Sequence, residues 1–152
     1  MPQVSITEAS VASYEVSVAI QSSRARVWRG LTDQLNAWWL PDFHMLGMDS
    51  IVTLELKPGG RMYEESEAGG LLWYTVLAFE VEKSLDAVGF CTPQWGGPAT
   101  SMLSFRLAPD GDDTLLTMTD ALSGHVSQEQ IDSLHSGWTD LLSTGLKPYL
   151  EQ

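Results

Sequence analysis

Only one cysteine, Cys91, stands among the 152 residues, so no intrachain disulfide can form and the framework of a small secreted scaffold is excluded. Positive charge is scarce as well. Eight Lys and Arg against twenty Asp and Glu give a formal charge of −12, which repels phosphate backbones and anionic lipid head groups and argues against nucleic acid as a partner. No apolar run approaches the ~20 residues of a membrane-spanning helix. The start, MPQVSITEAS, lacks both the basic and the apolar parts of a signal peptide. A cytoplasmic protein without membrane insertion is the expectation. Three histidines, His44, His125 and His135, fall on a loop, a turn and a helix, without the close spacing that metal sites use. Gly-rich phosphate loops, GxSxG elbows and HExxH pairs are missing too, so neither metal nor cofactor is expected.

What is present organises as one domain, 1–152, a length at which most apolar surface can be buried. From Val11 to Ile20 the sequence alternates, with Tyr14, Val16, Val18 and Ile20 on one face: a half-buried strand. SSRARVWRGLTD and QLNAWWL read as two short helices with a kink near Asp33 and a stop at Pro41. The basic cluster Arg24, Arg26 and Arg29 on the first of them is read as a solvated face. Six further strands follow in SIVTLELK, RMYEESE, LLWYTVLAFEVEK, SLDAVGFCT, ATSMLSFRLA and DTLLTMTDA, joined by the turns PGG, GG and PDGD and the loop PQWGGP. Cys91 falls within the fourth of these, where a lone cysteine acts as a small buried apolar group. A cap at Ser127 then opens an amphipathic helix of roughly 20 residues carrying Ile131, Leu134, Trp138, Leu141, Leu142 and Leu146. Lys147 is placed on an exposed turn near its end. The fold class is α+β: an antiparallel sheet of about seven strands whose buried face only the last helix is long enough to cover.

The residues at the joints carry a resemblance. SRARVWRGLTD followed by WW, LKPGGRM, GGLLWYTVLAFEV, LSFRLAPDGDDTLLTMTDA and HSGWTDLLSTGLKPYL, spanning Val11 to Leu150, resemble the helix-grip superfamily (SRPBCC) of the START lipid-transfer domains and the birch pollen allergen. Within it they look most like the domain family named after the homologue of the heat-shock chaperone ATPase activator (AHSA). The resemblance implies a curved sheet gripping the C-terminal helix, with a small apolar or amphipathic molecule held between them. Some members resembling this chain are cyclases or dehydratases, and others transfer lipids. Fold alone does not settle which.

Candidate site residues follow from this frame. In the helix-grip fold the second short helix stands beside the mouth of the space under the long helix, which draws attention to Trp38 and Trp39. Neighbours on a helix diverge by about 100 degrees. Either one ring faces the cavity or core and the other the rim, or both cap the core. Trp138, Leu141 and Leu142 form the roof, and Trp73, Leu77 and Phe105 are expected opposite them on the sheet. Period-two alternation from an inward Met62 carries Glu64 inward, where it would pair with a ligand or act as a general acid or base. Asp120 shares a face with Leu116 and Met118, whereas Arg106 faces solvent. His44 is the candidate polar contact at the mouth. The expected function is binding of a small hydrophobic molecule. The alternatives are an enzyme of the polyketide cyclase/dehydratase type in the same cavity and a chaperone-interacting domain; a homodimer is compatible with each.

Overall fold

The computed structural model describes residues 4–152. Seven strands form a single sheet: β1 (Ser10–Ile20), β2 (Ile51–Leu54), β3 (Arg61–Ser66), β4 (Gly69–Glu80), β5 (Ser84–Cys91), β6 (Ala99–Asp110) and β7 (Asp113–Gly124). Their spatial order is β1-β7-β6-β5-β4-β3-β2, and every neighbouring pair is antiparallel. From β2 to β7 this is a plain meander, as short turns require. Gly59, with φ of +79°, takes the left-handed conformation that the PGG turn demands. The β3–β4 turn lies at Glu67 and Ala68, so Gly69 and Gly70 open β4 instead of forming the turn.

One face of the sheet is buried. Val16, Val18 and Ile20 of β1, Leu103, Phe105 and Leu107 of β6, and Leu116, Met118 and Leu122 of β7 point inward in strict alternation. Across them lies a helical run from Gln128 to Leu150. It comprises α3 (Gln128–Asp140), a π-helical turn (Leu141–Leu146) and α4 (Lys147–Leu150). Ser127 caps its start, the hydroxyl accepting from the Gln130 N–H at 3.1 Å. The wide π turn ends two residues before Pro148, whose ring conflicts with the carbonyl four residues back in a regular α-helix, here that of Thr144 within the turn. Leu142, Leu146 and Leu150 are completely or almost completely buried along this run.

Between β1 and β2 the chain forms α1 (Arg24–Thr32) and α2 (Leu35–Trp38). Ser23 caps α1, and Val27, Trp28 and Leu31 face the core. Arg26 and Arg29 lie in solvent, with Arg24 half-buried. Trp38 closes α2 by donating its indole N–H to the Gly30 carbonyl at 2.7 Å. Its own carbonyl packs against Gly145, where a Cβ would approach to 2.7 Å, so only glycine lets the π turn sit this close.

Three expectations need correction. Leu77 is on the outer face, 52% exposed. Register shifts between Met62 and Tyr63 of β3 and between Val76 and Ala78 of β4 make Trp73 and Leu77 the extra residues of two bulges. Between these bulges the inward positions become Tyr74 and Val76, and alternation returns to odd positions at Phe79, opposite Leu85. Lys147 is half-buried, donating to the Ala19 carbonyl and, at 2.9 Å, to Glu151, which also accepts from the Gln21 N–H. Cys91 is only partly buried, because β5 ends there beside an open cleft.

Leu142 touches no solvent, so Leu142→Ala should destabilise the protein by about 2–5 kcal/mol. Urea denaturation of the variant against the parent measures this directly.

Candidate functional site

One helix does not fill the inner face of the sheet, and two adjoining clefts remain under α3. The first, about 460 Å³, runs between β4, β5, the 93–96 turn and the start of α3; Tyr74, Cys91, Ser101, Glu129 and Gln130 are among its lining residues with polar or sulfur-bearing side chains. The second, about 350 Å³, continues toward the end of α2 and is walled almost wholly by apolar groups, among them Phe43, Met45, Leu134 and Leu141. Trp73, Tyr74, Trp95, Ser133 and Leu134 line both, so the two clefts adjoin across these side chains.

Four of the six tryptophans meet in the apolar cleft. Trp39 packs edge-on against Trp138 at 6.2 Å and tilted against Trp73 at 6.0 Å. Trp73 and Trp95 lie nearly parallel, 28° apart, with centroids at 6.2 Å. Trp138 also packs edge-on against Phe105 below it, at 5.9 Å. Such arrangements follow the quadrupoles of the rings and hold their faces in fixed directions.

Trp73 is held by a buried carboxylate. Glu64 is completely inaccessible; its Oε1 accepts from the Trp73 indole N–H at 3.2 Å, and its Oε2 accepts from the Leu46 N–H and the Ser50 hydroxyl, each at 2.7 Å. His44 joins the same network through Ser50, at 2.9 Å. Burial pushes the Glu64 carboxyl upward, but the hydrogen bonds from Ser50, Leu46, Met45 and Trp73 outweigh it and hold the group below the usual carboxylate range. Glu64 therefore ties the 44–50 loop to β4.

A second buried carboxylate lies beneath the polar cleft. Asp120 is completely inaccessible and accepts from Ser101 at 2.6 Å and Tyr14 at 2.7 Å. Here burial wins over both hydrogen bonds, and the pKa is raised. Burial, followed by the Asp120 charge, also pushes up the Tyr14 and Tyr74 phenols and the Cys91 thiol. The thiol is thereby held away from the thiolate form that a nucleophile needs.

Of the candidate residues, Trp39, Trp73, Trp138 and Leu141 line the clefts. Trp38, Phe105 and Leu142 belong to the core around them, Leu77 lies on the opposite side of the sheet, and Glu64 and His44 stand behind Trp73. Neither tryptophan of the double pair is at a rim: Trp38 and Trp39 are 4% and 6% exposed. Trp39 has already left the helix, with ψ of 122°, and its indole N–H donates to the Phe43 carbonyl at 3.0 Å, which turns its ring under α3. Tyr74, Trp95 and Gln130 were not anticipated. A tryptophan between proline and glycines in PQWGGP was the available signal for Trp95.

The antiparallel seven-stranded sheet roofed by a C-terminal helix, with short helices between its first two strands, is the helix-grip fold. Residues 21–151 match the family described as Activator of Hsp90 ATPase homolog 1-like protein, and the chain belongs to that family. Among solved structures, the Mll3558 protein from Rhizobium loti superposes with a TM-score of 0.71 at 17% identity, covering 90% of this chain and 96% of that one. The Aha1 dimer from Colwellia psychrerythraea gives 0.63 at 18% identity, covering 92% and 96%. CalU16 from Micromonospora echinospora gives 0.61 at 19% identity, covering 91% and 83%. No curated protein matches the chain in sequence. Among the described residues no helix is long and apolar enough to cross a membrane.

The two carboxylates should move acid stability in opposite senses. Glu64, lowered from an ordinary 4.5, stabilises the fold above that pH, and its contribution is lost as pH falls through the native value. Asp120, raised from 3.8, costs stability while ionised, and this cost is relieved as pH falls through its raised value. In urea midpoints measured across the acid range, Glu64→Gln should start lower at neutral pH but lose less on acidification than the parent. Asp120→Asn should lack the relief and lose more.

Proposed function

We propose that this protein binds a small hydrophobic or amphipathic molecule in the adjoining clefts between the sheet and α3. The observation that carries the reading is the convergence of Trp39, Trp73, Trp95 and Trp138 on one apolar cleft that adjoins a polar one. Clefts of about 300–1,000 Å³, mostly apolar with a few fixed polar groups, are the usual form of small-molecule sites. The resemblance to the helix-grip superfamily, which implies a small apolar or amphipathic molecule between sheet and helix, supports the same reading.

An enzyme of the cyclase or dehydratase type is the second reading, because Asp120, Tyr14 and Ser101 form a buried acid cluster next to the polar cleft. It ranks below binding on two grounds. Both Asp120 oxygens are already engaged, and the tyrosines and Cys91 are held in their neutral forms.

A hydrophobic fluorescent dye should bind in about the micromolar range, near 8 kcal/mol of free energy, and change the tryptophan emission. Trp39→Ala, which removes a cleft wall, should weaken dye binding by ~1–3 kcal/mol while the protein stays folded. Trp38→Ala should instead act on stability, costing about 3–5 kcal/mol, since its indole seals α2 against Gly30 and Gly145. Equal dye binding by the parent and by folded Trp39→Ala would sink the reading.

A further inference from the structure

The polar cleft is uneven in its chemistry. Among the described residues no Lys, Arg or His lines either cleft, while Glu129 stands in the wall of the polar one. The Gln130 amide nitrogen, in the same wall, is directed to the Trp95 carbonyl at 3.5 Å. At the junction of the clefts stand Trp73, Tyr74 and Trp95, whose ring faces attract positive charge. The Trp73 N–H is already given to the Glu64 carboxylate, which enriches its ring in electron density. Deeper in, toward Trp39, Trp138 and Leu141, the walls are apolar.

One feature opposes a cation here, the positive end of the α3 dipole. Its effect is met locally. The Ser127 hydroxyl takes the Gln130 N–H, and Glu129 supplies a negative charge in the first turn.

On the reading that this space holds a ligand, we propose that the ligand is a hydrophobic monocation: an apolar body in the Trp39–Trp138 cleft bearing a protonated amine. The amine lies against Trp73, Tyr74 and Trp95, with the Glu129 carboxylate in the same wall. Fatty acids and other anionic amphiphiles are disfavoured, since no cation meets their head group and Glu129 repels it. The overall charge of −12 steers a cation toward the protein.

Three ten-carbon probes test this by calorimetry and tryptophan emission below their micellar concentrations: decylammonium, decanol and decanoate. Decylammonium should bind at least about tenfold more tightly than decanol, and decanoate most weakly, on the scale of a partly desolvated cation–π contact. The order should persist between about 0.15 M and about 0.5 M salt, where surface attraction is screened. Trp95→Leu keeps apolar area at an exposed turn and should abolish most of the preference while leaving decanol binding nearly unchanged. Comparable affinity for all three probes, preference for decanoate, loss of the preference in high salt, or an unchanged ratio in Trp95→Leu would overturn the cationic ligand and leave hydrophobic binding standing. Failure of every probe to bind would overturn both.

Discussion

A sheet of seven strands at their usual spacing is roughly 29 Å across, whereas a helix with its side chains is about 10–12 Å wide. That mismatch governs the architecture. The helical run from Gln128 to Leu150 lies along β1, and its second half carries the buried Leu142, Leu146 and Leu150. Its first half is poorly buried: Trp138 alone among the residues of α3 is fully enclosed. The floor left open there, β4 and β5, is closed by other means. The end of α2 brings in Trp39, the 44–50 loop is drawn over β3 and β4, and the 93–96 turn adds Trp95. The clefts are the remainder of this imperfect closure, so their aromatic walls serve the fold and the site together.

Closure on that side depends on Glu64. A loop brought onto an apolar surface leaves backbone donors that must be paired. One carboxylate supplies the partners, taking the Leu46 N–H and the Ser50 hydroxyl on one oxygen and the Trp73 indole on the other. The bulge at Trp73 makes this geometry available, because the extra residue carries a second inward ring beside Tyr74 without losing the strand. Loop, bulge and carboxylate thus form one device that fixes the Trp73 ring.

Much of the fold was legible in the sequence because it rests on periodicity and punctuation. Alternation placed the buried faces of β1, β6 and β7, Ser127 announced the last helix, and the short turns allowed only antiparallel neighbours. Met62 and Glu64 were placed inward by the same rule. The failures are where local rules are broken by tertiary demand. Leu77 continued an apolar odd-numbered series in LLWYTVLAFEV, yet two bulges within six residues shift that series out and back, and no composition marks them. Trp39 was assigned to a helix that ends one residue before it, so the angle argued for adjacent helical residues did not apply. The cleft itself is expected only as a space; Tyr74 sits one step out of the expected phase, and Gln130, four residues before Leu134 on the same stripe, is a polar residue in the first turn that reads as solvated. Trp95 was missed in a loop, where no periodic rule operates.

The two inward carboxylates show why burial by itself does not predict chemistry. Glu64 and Asp120 occupy equivalent inward positions on different strands, and both are completely inaccessible. Glu64 receives backbone and indole N–H donors as well as a hydroxyl, enough to outweigh desolvation and keep it ionised. Asp120 receives two hydroxyls, which do not outweigh it, so its proton is held more tightly. The difference follows from what lies above each strand. A loop with spare N–H groups covers β3, whereas β7 is flanked by β1 and β6, whose backbone donors are already spent in the sheet. Side-chain hydroxyls are then the donors that reach Asp120, and the group sits beneath the polar cleft as a weak acid, while Glu64 acts as a fixed charge behind the aromatic wall.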